Sequence, residues 1–198
     1  MEAEQKDGVA IFYAKDRAAW RAWLQANHHI EKSVWLLVYK KESNIPSITY
    51  NEALDEALCF GWIDSKSNKR DSDSFYQFFA KRNPKSNWSR VNKQKVEMLI
   101  QNNLMTTAGL EMINLAKETG TWTALDEVEN LTIPSDMQEK LDVNPKAKEY
   151  FELFPRSVKR GILEWILNAK RPETRLKRIE ETVSLAEKNI RANQYHQK

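Results

Sequence analysis

Between Ser33 and Tyr39 the chain reads S-V-W-L-L-V-Y, with five apolar side chains in succession. Successive side chains of a strand point to opposite faces, so this run needs cover on both. It is far shorter than the ~20 residues that span a bilayer. A central, covered strand is therefore expected, and its neighbours must come from nearby sequence. Val9–Tyr13, V-A-I-F-Y, reads as an edge strand. Trp62–Lys66 and Phe75–Ala80 read as a hairpin around the polar segment from Ser67 to Ser74.

Helices are expected between these strands. Asp16 is placed to cap one that carries Trp20, Trp23 and Leu24 on a single face. Thr49 and Glu52 have the spacing of a capping box. The helix they open buries Ala53, Leu54, Ala57 and Leu58, keeps Glu52, Asp55 and Glu56 away from that stripe, and stops at Gly61. Beyond Pro84 the periodicity is helical. Ser86 is read as the cap of a helix carrying Val91, Val96 and Leu99, and Leu110, Ile113 and Ala116 as the buried stripe of the next. Pro145 and Pro172 sit at helix starts, and Ser157 is read as a further cap. The fold class is therefore α+β: a small, mostly antiparallel sheet covered by helices, then an all-helical C-terminal region. We divide the chain into an α+β domain at 1–120 with two trailing helices, a linker-like stretch at 121–143 and a three-helix region at 144–198.

Charge changes sign along the chain. Residues 1–65 hold 7 basic and 10 acidic side chains, 66–104 hold 9 and 3, 105–154 hold 4 and 10, and 155–198 hold 11 and 5. The two basic segments admit an anionic partner, although solvated helix faces produce the same alternation. One Cys excludes an internal disulfide and suits a reducing compartment. The N-terminus has no signal-peptide pattern and no apolar run is long enough to span a bilayer, so a cytoplasmic protein without a membrane span is expected.

The residues that could carry chemistry lie between positions 59 and 90. Cys59 falls near a helix C-terminus, where the dipole opposes a thiolate, and it reads as a buried, inert thiol. Asp64 stands in an otherwise apolar strand start and needs a donor or water. Its plain reading is a structural ion pair; its functional one is a ligand-orienting or acid–base group. Arg82, Lys85, Trp88, Ser89 and Arg90 place cations and an indole at a helix N-terminus, which suits an anion. Trp88 serves equally as a core staple. The His28–His29 pair lacks further ligands at metal-binding spacing. Phosphate-loop, dinucleotide, serine-hydrolase and zinc-protease motifs are absent. The C-terminal Arg and Lys residues could meet phosphates in a helix-turn-helix, but no base-reading set stands out.

The core E-A-L-D-E-A-L-C-F-G-W-I-D at 52–64, followed by Trp88, Ser89 and Asn92, resembles the YdeI/OmpD-associated, or bacteriocin-protection, family. So do A-K-E-T-G at 116–120 and W-I-L-N-A-K-R-P-E-T-R-L-K-R-I at 165–179. The family commonly has Pro-Arg where this chain has Lys81-Arg82, so only the arginine matches. The resemblance implies a small cytosolic bacterial protein linked to bacteriocin tolerance. It carries over no reaction, cofactor or catalytic residue.

These readings lead to a binding or stress-protection protein with a pocket for a small ligand or peptide. Its wall would be Trp35, Trp62, Asp64, Lys66, Arg82, Trp88, Ser89 and Arg90. No catalytic residue, cofactor or metal is assigned. A protein partner is admitted, and nucleic acid is not the expected partner. Two alternatives stay open: an enzyme using Asp64 or Cys59, and a nucleic-acid-binding protein using the basic segments 66–104 and 155–198.

Overall fold

The computed structural model describes residues 4–193. The chain forms two compact units, Met1–Thr123 and Ala124–Lys198.

The first unit is built on a five-stranded mixed sheet of order β1-β2-β3-β5-β4. β1 is Gln5–Lys6, β2 Val9–Tyr13, β3 Ser33–Tyr39, β4 Trp62–Lys69 and β5 Ser74–Lys81. β2 and β3 run parallel, because helix α1 (Arg17–Asn27) crosses between them. The other three pairings are antiparallel. β3 is central, as its apolar run requires, and pairs with β5 along its full length from Ser33↔Ala80 to Tyr39↔Ser74. β2 is not the edge strand expected of it. The two-residue β1 occupies the edge, joined by a tight turn in which Gly8 adopts φ +74°. β4 outruns its expected end at Lys66 because a bulge between Asp64 and Ser67 shifts its register and lets pairing continue to Lys69.

The two faces of this sheet differ. Phe12, Val34, Leu36, Val38, Phe79 and Trp62 point into a core shared with Trp20 and Leu24 of α1 and with Ala53, Leu54, Ala57 and Leu58 of α2 (Tyr50–Cys59). Trp35 and Leu37 are equally buried but stay outside that core. Lysine stems and neighbouring rings cover Trp35 instead of a helical layer, an arrangement taken up below.

Helix α2 begins at the capping box expected of it. Thr49 Oγ1 accepts from Glu52 N (3.3 Å), and Glu52 Oε2 accepts from Thr49 N (3.0 Å). One expectation for this helix is overturned. Glu56 is 1% exposed and is held by Arg17 (2.5 Å) and Arg21 (2.6 Å) of α1. A carboxylate can occupy that position only because two guanidinium groups arrive with it from another helix.

Helix α3 spans Arg90–Gln101 and α4 Thr107–Glu118. Ser89, not Ser86, caps α3, since Ser86 is engaged in a turn with Asn83. Val96 and Leu99 are buried as expected; Val91 (59%) and Leu110 (40%) are not. Helix α4 docks on the end of α2. Thr106 donates to Cys59 O from both its backbone N (3.1 Å) and its hydroxyl (2.6 Å). At Gly109 a Cβ would stand only 2.3 Å from Cys59 O, so the close approach needs glycine there.

The second unit contains α5 (Asp126–Glu129), α6 (Ser135–Asp142), α7 (Pro145–Leu153), α8 (Arg156–Leu167) and α9 (Pro172–Ala186). Two of these helices occupy the 121–143 stretch. Met137, Leu141, Phe151, Ile162, Ile166 and Ile179 anchor its core. Pro155, not Ser157, precedes α8 as its cap position. On α9, Ile179 and Ala186 are buried while Leu176 is 48% exposed.

Candidate functional site

The eight residues expected to form one wall occupy three places. Trp35 and Lys66 meet on the sheet face away from the helices, with Lys66 Nζ 5.1 Å above the Trp35 ring. Trp62 is on the opposite face, as alternation along the sheet demands. Asp64 also lies on the helix side, paired in register with Phe79, and accepts a 2.8 Å hydrogen bond from Tyr50. Burial, reinforced by that bond to Asp64, pushes the Tyr50 phenol up to about 12. The pair is therefore a neutral donor on a carboxylate.

Arg82 and Trp88 do come together. The guanidinium carbon lies 3.8 Å from the centre of the Trp88 ring. Nη2 donates to Asn87 O at 2.5 Å, while Nε has no partner. Arg82 is only 4% exposed. Burial pulls its pKa down to about 10, and the negative charge of Asp64 opposes that shift. Trp88 in turn packs on Trp122 at 5.1 Å, so it belongs to the core. Ser89 is spent on capping, and Arg90 is the exposed first residue of α3.

Cys59 is fully buried. Burial and the Glu56 carboxylate push its thiol up to about 11, against the pull of Arg21, so little thiolate forms at neutral pH. Among the described residues no cluster of His, Cys, Asp and Glu could hold a metal ion.

A cavity in the first unit was not anticipated. It measures about 430 Å³ and opens where the end of α1, the α2–β4 turn and α4 converge. Phe60, Trp62, Met112, Leu115 and Ala108 give it an apolar lining, and His28, His29, Lys81 and Glu111 supply polar groups. Gly61 forms part of the wall, held at φ +72° with α4 so close that a Cβ would lie 3.1 Å from Ala108 O. The polar groups are braced. Lys81 Nζ donates to His29 O (3.0 Å), and Trp62 Nε1 donates to His28 O (3.4 Å). His28 Nδ1 lies 2.9 Å from Leu24 O, a carbonyl that can only accept. That nitrogen is therefore the donor in this contact. The His28 ring also packs on Phe60 at 5.2 Å.

Of this lining, only Trp62 was among the residues expected to form a pocket wall. The signal available was a second stripe on α4. Ala108, Met112 and Leu115 follow i, i+4, i+7 spacing beside the buried Ile113 and Ala116.

The first unit is a small α+β fold with a cavity at its helix junction, joined in sequence to a helical unit. Comparison with known families assigns each part. Residues 12–112 match a family described as a domain of unknown function, DUF8412, and by this match over half its length the chain belongs to that family. Residues 130–189 match the family described as bacteriocin-protection, YdeI or OmpD-associated, so the suspected family is found, over the helical part alone. The W-I-L-N-A-K-R-P-E-T-R-L-K-R-I motif lies inside that second match, while E-A-L-D-E-A-L-C-F-G-W-I-D lies inside the first. Neither the curated proteins nor the solved structures searched contain a match.

Proposed function

We propose that the protein is a non-catalytic binding protein acting in a bacteriocin-protection-like role, with its ligand site in the cavity at the α1, α2 and α4 junction. The observation that carries this reading is the cavity itself. Its volume of about 430 Å³ suits a small molecule, and its chemistry is that of ligand sites, apolar walls with a few placed polar groups. The ligand is a small amphipathic molecule or a peptide side chain. Its apolar body packs on Phe60, Trp62 and Met112, and its polar end meets His28, Lys81 and Glu111. The description of the family matched at 130–189 supports the protective role. A buried Cys59 with a raised pKa and an Asp64 occupied by Tyr50 favour binding over catalysis. The single Cys suits a cytoplasmic protein, and that location belongs to the same proposal. No helix among the described residues is long and apolar enough to cross a membrane.

Native mass spectrometry of the gently purified protein tests the site. The expected result is an added small-molecule mass on the wild type that disappears in Met112→Trp, where an indole fills the cavity. An identical bound mass on both proteins, or none on either after incubation with a panel of small amphipathic acids and amines, would remove the cavity from consideration.

A further inference from the structure

The sheet face turned away from the helices carries a second, independent arrangement. Cross-strand register places Tyr13 beside Leu37, Trp35 beside Phe78 and Leu37 beside Tyr76. The rings touch: Trp35–Phe78 at 4.9 Å, Trp35–Tyr76 at 6.3 Å and Tyr13–Tyr39 at 5.6 Å. Three cations lie on top of them. Lys66 Nζ is 5.1 Å from Trp35 and 5.4 Å from Phe78. Lys6 Nζ is 5.5 Å from Trp35 and 5.9 Å from Tyr76. Arg70 is 6.0 Å from Tyr76 and donates to the Tyr39 hydroxyl at 3.1 Å.

Cations dominate this face, with Glu4 at its β1 edge, where the Glu4 backbone oxygen accepts from Ile11 N (2.8 Å). Within the five strands the only carboxylate is Asp64, and it faces the helices. Asp7, Asp71 and Asp73 lie at the connecting turns and bound the face. Asp7 and Asp71 make only loose contacts with Lys6 (3.6 Å) and Arg70 (3.9 Å). Lys66 meets no carboxylate among the described residues. Beneath the cations Trp35 is fully buried, and its Nε1 has no hydrogen-bond partner. An indole donor stranded under two lysines marks a surface whose polar needs are unmet by the protein alone.

We propose that this face binds single-stranded nucleic acid, stacking bases on Tyr76, Phe78 and Tyr39 while Lys6, Lys66 and Arg70 meet the phosphates. Aromatic rings interleaved with cations are what an unpaired strand needs: every base has a π-face, and every linkage is an anion. A duplex offers neither exposed base faces nor a flat backbone to such a platform. The strands stand about 4.8 Å apart, so the four from β2 to β4 span roughly 15 Å, enough for about three bases. Arriving bases displace Lys66 and Lys6 from the rings toward phosphate, which opens Trp35 Nε1 to an acceptor. This site differs from the basic segments 66–104 and 155–198 singled out in sequence. It takes only Lys66 and Arg70 from the first of them. In the second, Arg160 and Arg175 pair with carboxylates, and Arg156 and Arg178 donate to backbone carbonyls.

Fluorescence anisotropy of the full chain with labelled oligouridylate and oligothymidylate tests the assignment. Three phosphate contacts to a single strand give a salt slope near −2, so binding should weaken about twentyfold between about 50 and about 200 mM salt. Lys66→Gln, at an exposed position, should lower affinity severalfold and reduce the slope by about 0.7. Tyr76→Leu keeps apolar bulk, removes the π-face and should lower affinity about fivefold or more. Circular dichroism confirms that both variants remain folded. The proposal is overturned by absence of salt-sensitive binding or by duplex binding as tight as single-strand binding. It is overturned equally by variants that bind as the wild type does, or by polyglutamate competing as well as the oligonucleotide, which would make an acidic polypeptide the occupant.

Discussion

Arg82 carries its charge into a place that water barely reaches. Desolvating an ion is expensive, and no carboxylate of the described residues pairs with this one. What offsets the penalty is a charged hydrogen bond to Asn87 O and the face of Trp88 at 3.8 Å, with the negative charge of Asp64 acting in the same direction. Such a bond contributes about 1.5–3 kcal/mol and a desolvated cation–π contact about 2 kcal/mol, so the site comes close to balance. Arg82→Met, which keeps the stem and deletes the charge, should therefore shift unfolding stability by less than about 1 kcal/mol. Trp88→Ala should cost about 3–5 kcal/mol by opening the core. Urea titrations of the two variants distinguish them, and an equal loss in both would make Arg82 a structural anchor. At this scale the sequence was half legible. It brought forward Arg82 and Trp88 because their neighbours are unusual for their types, and they do meet. It grouped Trp35 with Trp62, which stand on opposite sides of the sheet. Alternation within one strand says nothing of which face each strand turns to the helices. Glu56 was misread for a related reason: its two arginine partners come from α1 and leave no mark on its own helix.

Helix α2 owes its start to a local pattern, and its stability inherits the chemistry of that pattern. The capping box satisfies backbone donors at both Thr49 and Glu52. Bonds from the Thr49 backbone and hydroxyl hold the Glu52 carboxyl below its ordinary value of 4.5. A carboxyl whose folded pKa is depressed contributes stability above its unfolded value and loses it as pH falls through the folded one. The wild type should accordingly lose stability as pH drops below about 4.5, and Glu52→Gln should flatten that part of the profile. Thr49→Ala should cost about 1 kcal/mol at neutral pH. Thermal midpoints of the three proteins from pH 7 down to pH 3 test this assignment, and parallel wild-type and Glu52→Gln profiles would refute it. Elements defined by local signals were legible in this way: the capping box and the residue ranges of β2 and β3 are as expected. Elements defined by distant partners were not. β1 exists because β2 offers it an edge, and β4 runs past Lys66 because a bulge restores its pairing with β5. The exposed side of α3 reflects which neighbours it meets, and periodicity alone placed Val91 on the buried side.

Across the whole molecule, two boundaries of different origin agree. Contacts within the chain separate Met1–Thr123 from Ala124–Lys198. The two family matches, 12–112 and 130–189, fall one in each unit. Each unit also has its own apolar cluster, and no buried residue belongs to both. A unit that closes its own core and its own backbone hydrogen bonds has what folding requires. Residues 1–123 expressed alone should therefore fold cooperatively, and they should keep both the cavity and the aromatic sheet face, whose residues all lie within them. Residues 124–198 should fold to a helical state of only about 3–5 kcal/mol, since a unit of this size buries little core. Circular dichroism and urea denaturation of the two fragments measure this directly. Oligonucleotide anisotropy on fragment 1–123 adds the functional reading. Binding equal to that of the full chain is expected, because Lys6, Lys66 and Arg70 are all present. A fragment 1–123 that fails to fold would show that the two cores are not thermodynamically separate. A folded fragment with much weaker binding would mean that residues 124–198 contribute to the nucleic-acid site.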